Sequence, residues 1–298
     1  MGSAASRPER LTASVLARWP LPELAEDADK EVRGHVLIIA GSEEIPGAAL
    51  LSAVAALRAG AGKLTIAAPA SIAKGLAFAV PEARVIALPE ARGGLLVRGR
   101  QALASTAASV SALVIGPGMQ REGAVVRFVE AVIPMFRHAT LVLDALAMSV
   151  VRGAALEQPA VLTPHAGEMA YLSGLSKEAV CEDPVGAARE AAALWNACVA
   201  LKGGSTIIAA AEGGLWQFDG GTNGLATSGS GDTLAGLIGG LAARGLPPVA
   251  ACAWGVVAHA NAGAALSRSH GPLGYLAREL PGEFPASLHS LSKGRPSR

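Results

Sequence analysis

The sequence predicts an α/β fold in which helices cover both faces of a mostly parallel sheet. Three observations carry this. Short apolar runs alternate with glycine-bearing turns and helix-period segments along most of the chain, the pattern of repeated strand–turn–helix units. Of the 298 residues, 51% are hydrophobic and only 16% charged, which suits closely packed layers and argues against a disordered chain. Polar residues recur where strand candidates end, and that rim is where open α/β sheets bind ligands.

In chain order, residues 1–34 read as a loose arm with one short helix, whose apolar side carries Leu11, Val15, Leu16 and Trp19. A strand at 36–40 passes through a glycine turn into a helix over 48–59, and a second strand follows at 64–67. The run 113–115 ends in Gly116-Pro117-Gly118 before a helix over 123–136. Strands at 141–143, 160–162 and 199–201 end in Asp144, in Thr163-Pro164-His165 and in Lys202-Gly203-Gly204. A helix over 167–172 follows the histidine. Residues 206–211 and 215–218, around Glu212-Gly213-Gly214, read as a hairpin at the sheet edge. Two uncharged stretches, 101–120 and 246–267, contain proline and polar residues and read as buried core rather than membrane spans. The expected layout is an arm and helix over 1–34, one domain over 35–285, and a flexible basic tail over 286–298.

A net charge of +1 argues against bulk electrostatic binding to nucleic acid or an anionic membrane. Cys181, Cys198 and Cys252 form an odd set without C-x-x-C spacing. That disfavours a disulfide framework or a zinc site and points to a reducing cytoplasm. Arg7, Glu9, Arg10 and Arg18, with no apolar core behind them, do not make a secretory signal.

The most informative stretch is Thr227-Ser228-Gly229-Ser230-Gly231-Asp232-Thr233, which opens an apolar helix-like run. Unpaired N–H groups at a helix N-terminus attract an anion, and glycines let a phosphate approach the backbone. Asp232 in the same turn would repel that anion. It suits a group that takes the proton of a hydroxyl attacking the phosphate, and it also fits an ordinary helix cap. Gly41-Ser42 with Pro46-Gly47-Ala48-Ala49, and Ile115-Gly116-Pro117-Gly118, are further turns where a ligand can meet the backbone. Lys202-Gly203-Gly204-Ser205-Thr206 sets an ammonium and backbone donors at a strand end, suited to nucleotide phosphate or ribose. His165 projects from a proline-stiffened turn, and Glu168 lies in the helical turn beyond it. Singly, Asp144 fits a cap, His165 a loop residue and Lys202 a solvated charge. With Gly116 they put four such positions on one edge, which points to a site. No Walker loop and no G-x-G-x-x-G occurs, so a Rossmann-type dehydrogenase is disfavoured.

Assembled in order, these turns resemble the ATP/ADP-dependent NAD(P)H-hydrate dehydratases, a branch of the ribokinase-like superfamily. The matching residues are Ala40-Gly41-Ser42 with Pro46-Gly47-Ala48-Ala49, Arg58 to Thr65, Ile115 to Gly118, Leu143-Asp144-Ala145, Leu162 to His165 with Gly167-Glu168, Leu201-Lys202-Gly203 with Thr206, and Gly229 to Gly236. The resemblance implies a three-layer α/β/α ribokinase-like fold. It also implies an enzyme that phosphorylates the hydroxyl of hydrated NADH or NADPH with ATP or ADP, whereupon phosphate leaves. Asp232 would be the catalytic base. Lys202, Gly203, Gly204, Ser205, Thr206, Gly229, Ser230 and Gly231 would hold the nucleotide. Ala49, Gly118, His165 and Asp232 would meet the substrate, and Mg2+ would bridge the phosphates through ligands the sequence does not identify. A homotetramer is common in the family. The epimerase domain fused to some relatives is not expected, because residues 1–34 are too short to form it.

The chain departs from the pattern at Asp29-Lys30-Glu31, at Asp144-Ala145-Leu146 in place of Asp-Ala-Asp, and at Ser230 in place of threonine. Two rival functions use the same turns. One is a ribokinase-like kinase for a hydroxymethyl vitamin precursor or sugar. The other is a nucleotide-binding regulator without turnover.

Overall fold

The computed structural model describes residues 7–23, 29–92 and 94–294. The remaining parts of the predicted arm and tail, 1–6, 24–28 and 295–298, lie outside the described residues. In chain order the strands are β1 (Glu9–Arg10), β2 (His35–Ile39), β3 (Lys63–Pro69), β4 (Arg84–Leu88), β5 (Glu90–Ala91), β6 (Gly94–Leu95), β7 (Ala112–Ile115), β8 (Thr140–Leu143), β9 (Ala160–Leu162), β10 (Cys198–Leu201), β11 (Thr206–Ala209) and β12 (Leu215–Phe218). The helices are α1 (Ala13–Leu16), α2 (Gly47–Arg58), α3 (Ala70–Ala79), α4 (Glu122–Val132), α5 (Ala166–Ser173), α6 (Lys177–Glu182), α7 (Pro184–Trp195), α8 (Ser230–Ala243), α9 (Pro248–His270) and α10 (Leu280–Ser292).

Ten strands form one sheet in the order β1-β12-β11-β10-β9-β8-β7-β2-β3-β4, and β5 pairs with β6 apart from it. Pairing is parallel throughout except around β11, which is antiparallel to both neighbours. The central strands are buried on both faces and read as continuous apolar runs. Alternate residues divide the core. Val36, Ile38, Val114 and Val142 join the layer under α2, α8, α9 and α10. Leu37, Ile39, Leu113, Leu141 and Leu143 join the layer under α4 and α7. Stretch 246–267 proves to be mainly α9, whose apolar window is 78% buried inside the protein.

The short helix expected in the arm is α1, with Leu11, Val15 and Leu16 buried along its apolar side and the Trp254 indole N–H donated to the Trp19 carbonyl at 2.7 Å. Three expectations need correction. The hairpin β11–β12 does not end the sheet, because β1 adds in parallel to β12. The helix predicted over 123–136 stops at Val132 and tightens to a 3₁₀ turn at Ile133–Phe136, where Pro134 withholds its N–H. The tail boundary at 286 falls inside α10, and Leu288 and Leu291 of that helix are buried in the core.

The closest helix packing positions the site. α2 and α8 run parallel, with Leu51 beside Gly229, Ser52 beside Gly236 and Ala56 beside Gly240. Any side chain at Gly236 would collide with the Ser52 carbonyl. The Ser52 hydroxyl donates to the Asp232 carbonyl at 2.9 Å. The N-termini of both helices therefore face the same end of the sheet.

Candidate active site

Gly116, Asp144, His165 and Lys202 follow β7, β8, β9 and β10, which are consecutive neighbours in the sheet. Parallel pairing puts all four on the C-terminal rim. Asp144 is buried and accepts from the Thr163 hydroxyl at 2.7 Å. Lys202 Nζ lies 3.5 Å from the same Asp144 oxygen and 3.9 Å from Glu168 Oε2. Its backbone N–H donates to the Pro164 carbonyl at 2.8 Å. His165 caps α5: its Nδ1 accepts from the N–H groups of Gly167 and Glu168 at 3.0 and 3.2 Å. Glu168 answers by accepting from the His165 N–H at 2.8 Å, completing a capping box. With Nδ1 engaged as acceptor, Nε2 is the protonated nitrogen of the neutral ring.

Gly229 precedes α8 with φ of 89°, a conformation glycine adopts without strain. Ser230, Gly231 and Asp232 form the first turn; the Ser230 N–H donates to the Thr227 carbonyl at 3.2 Å, and those of Gly231 and Asp232 have no partner within the helix. The Asp232 pKa is pushed up to about 6, chiefly by burial and then by the Asp144 carboxylate, with Lys202 opposing. A carboxylate poised there is ionised at neutral pH and still basic enough to take a proton.

A cavity of about 530 Å³ opens beside this turn. Lys202, Gly203, Gly204, Thr206, Ser230, Gly231 and His165 line it, whereas Asp232 stands half-buried next to Gly231 and is not part of the lining. Ser205 points elsewhere, donating its hydroxyl to Asp219 at 2.7 Å. Gly229 lies at the α8 tip against Leu51 rather than in the cavity wall. Ala49 is fully buried in the first turn of α2, main chain included, as is Ala48, and only Gly47 of that turn is exposed. Gly118 packs against Ile45 and Ala48 at the start of α2. Sequence reasoning missed the rest of the lining, including Asn223, Leu225, Val256 and His259. An imidazole inside the alanine-rich run of α9 was the one signal for His259.

The arrangement is that of a ribokinase-like α/β fold with a glycine-bearing helix tip, a lysine and a histidine around one cavity at the C-terminal rim of the sheet. The profile of the NAD(P)H-hydrate dehydratase family matches residues 36–285. The chain is 48% identical to the ADP-dependent (S)-NAD(P)H-hydrate dehydratase of Xanthomonas campestris pv. campestris, over 97% of this chain and 99% of that one. It is 37% identical to a bifunctional NAD(P)H-hydrate repair enzyme of Moorella thermoacetica, covering 95% of this chain but 54% of that protein. The crystal structure of the ADP/ATP-dependent NAD(P)H-hydrate dehydratase of Bacillus subtilis, grown with ATP and Mg2+, superimposes with a TM-score of 0.85 at 28% identity, over 96% of this chain and all of that one. The chain belongs to the NAD(P)H-hydrate dehydratase family.

Proposed function

We propose that this chain returns (S)-NAD(P)H hydrate to NAD(P)H, a repair reaction that consumes ADP or ATP. Asp232 takes the proton of the ring hydroxyl as its oxygen attacks the terminal phosphorus. The bond from that phosphorus to the nucleotide breaks as the new P–O bond forms. Phosphate then leaves with the C–O bonding pair, and loss of a ring proton restores the double bond. Hydroxide leaves poorly and phosphate well, so a kinase site serves a dehydration. The backbone N–H groups of Gly231 and Asp232 would meet the developing phosphoryl charge, while that of Ser230 is held by the Thr227 carbonyl at 3.2 Å. Lys202 and the 203–206 turn hold the nucleotide, and His165 and the 47–49 and 116–118 turns hold the hydrated ring. The observation that carries this reading is the α8 tip: Ser230 and Gly231 share a cavity wall with Lys202, and the next residue is Asp232, whose carboxyl pKa is pushed up to about 6 by burial.

Mg2+ enters this reading with the nucleotide. Among the described residues no group of three or more His, Cys, Asp or Glu side chains gathers to hold a metal. That fits an ion bound through phosphate oxygens, water and one or two carboxylates. Asp144 and Glu168, both beside Lys202, are the carboxylates that would hold its waters. When bound, the ion offsets phosphate charge. A cytoplasmic homotetramer completes the reading, and sedimentation of the purified protein tests the assembly.

The deciding assay gives the protein hydrated NADH with ADP or ATP and follows absorbance of the reduced nicotinamide. Recovery with one phosphate released per ring restored supports the reading. No recovery, with a stable ester formed on another alcohol, favours the kinase. Nucleotide binding without phosphate release favours the regulator.

A further inference from the structure

His259 stands on α9, inside the core and directly beneath the first turn of α8. Its Nε2 lies 3.0 Å from the Ser230 carbonyl oxygen and 3.3 Å from the hydroxyls of Ser230 and Thr233. A carbonyl oxygen only accepts, so Nε2 carries the hydrogen. The Thr233 hydroxyl also donates to the Ser230 carbonyl, at 2.8 Å. The Ser230 oxygen therefore faces a donor, and its own hydrogen is not taken by the imidazole. Ser230 and His259 both line the nucleotide cavity.

We infer that His259 is a positioning residue for phosphoryl transfer: its Nε2–H clamps the α8 tip and leaves the Ser230 hydroxyl hydrogen to donate to the transferred phosphate. Burial keeps the ring neutral by pushing its pKa to about 4, so the clamp persists across the working pH range. Nothing about this role follows from packing alone. A leucine fills similar space without the N–H. A glutamine presents an amide N–H at the reach of Nε2. The inference rests on the dehydration reading above, and its test separates the two.

His259→Leu, His259→Gln and Ser230→Ala, with the Leu/Ala double variant, are compared by steady-state kinetics on hydrated NADH and ADP. His259→Leu should lower kcat about tenfold or more, with KM for the hydrate changed less than about twofold. His259→Gln should recover to within about threefold of the parent. Ser230→Ala should cost about tenfold in the parent and less than about twofold in the Leu background, because both changes remove one donor. Costs that multiply, or a Gln variant as slow as the Leu variant at equal thermal stability, overturn the inference. Nitrogen NMR of the unaltered protein gives a readout independent of folding in the variants: a ring protonated on Nδ1 overturns it as well. Should the parent not turn over hydrated NADH, the dehydration reading fails. The same cycle is then measured on ADP affinity by calorimetry, where loss of coupling between residues 230 and 259 refutes the clamp.

Discussion

Asp232→Asn replaces the proposed base with an isosteric amide, and the two consequences run in opposite directions. Burial and Asp144 raise the carboxyl from 3.8 to about 6. At about 1.36 kcal/mol per tenfold change in protonation, that interval disfavours the charged form by about 3 kcal/mol. Partial solvent exposure of the side chain reduces the effect to about 1–2 kcal/mol. An acid whose pKa is higher folded than unfolded binds more protons in the native state between the two values. The parent therefore loses stability as pH rises from 3.8 to about 6 and is level above it. The Asn variant has no such loss. It should unfold at a higher temperature than the parent at pH 8, and the gap should narrow as pH falls below about 6. Activity moves the other way. The parent should gain kcat/KM up to about pH 6 and hold a plateau above it. The variant should lose about a hundredfold or more while still binding ADP. Scanning calorimetry and the hydrate assay on one preparation read both. Retention of more than about a tenth of the activity, or an Asn variant less stable than the parent at pH 8, refutes the reasoning.

Lys202→Ala should weaken ADP binding in a calorimetric titration, and it should move the acidic limb of the pH profile upward, since Lys202 opposes the rise at Asp232. Asp144→Asn removes a negative neighbour, so the same limb should shift to lower pH. Gly236→Ala should destabilise by about 1–3 kcal/mol in chemical denaturation, because its methyl meets Ser52 main-chain atoms across the α2–α8 seam.

The central sheet was legible because β2, β7 and β8 are buried on both faces and stand in the sequence as uninterrupted apolar runs. β4 was not, since Arg84 and Ala87 are exposed and the strand lies at the sheet edge. α10 was hidden by Pro281, Gly282 and Pro285, which read as breakers. Its buried Leu280, Phe284, Leu288 and Leu291 nevertheless recur at helical spacing. α7 was not read from the sequence, although it begins at Asp183-Pro184, a cap followed by a first-turn proline. At the site, Asp232, Lys202 and His165 could be found because each sits in a turn whose local chemistry stands out. His259 and Asn223 reach the cavity lined by Lys202 and His165 only through tertiary packing, from a helix and a loop with no such mark. Asp144 was visible as a rim residue, but its tie to Thr163 depends on β8 lying beside β9.

The seam between α2 and α8 has a mechanical corollary. With the Ser52 main chain lodged where Gly236 lacks a side chain, and its hydroxyl fastened to residue 232, the two helix tips behave as a single anvil. The spacing between the N-termini of α2 and α8 is thereby set when the chain folds. The rest of the cavity lining, including Phe218 and residues 221–227, lies outside this seam.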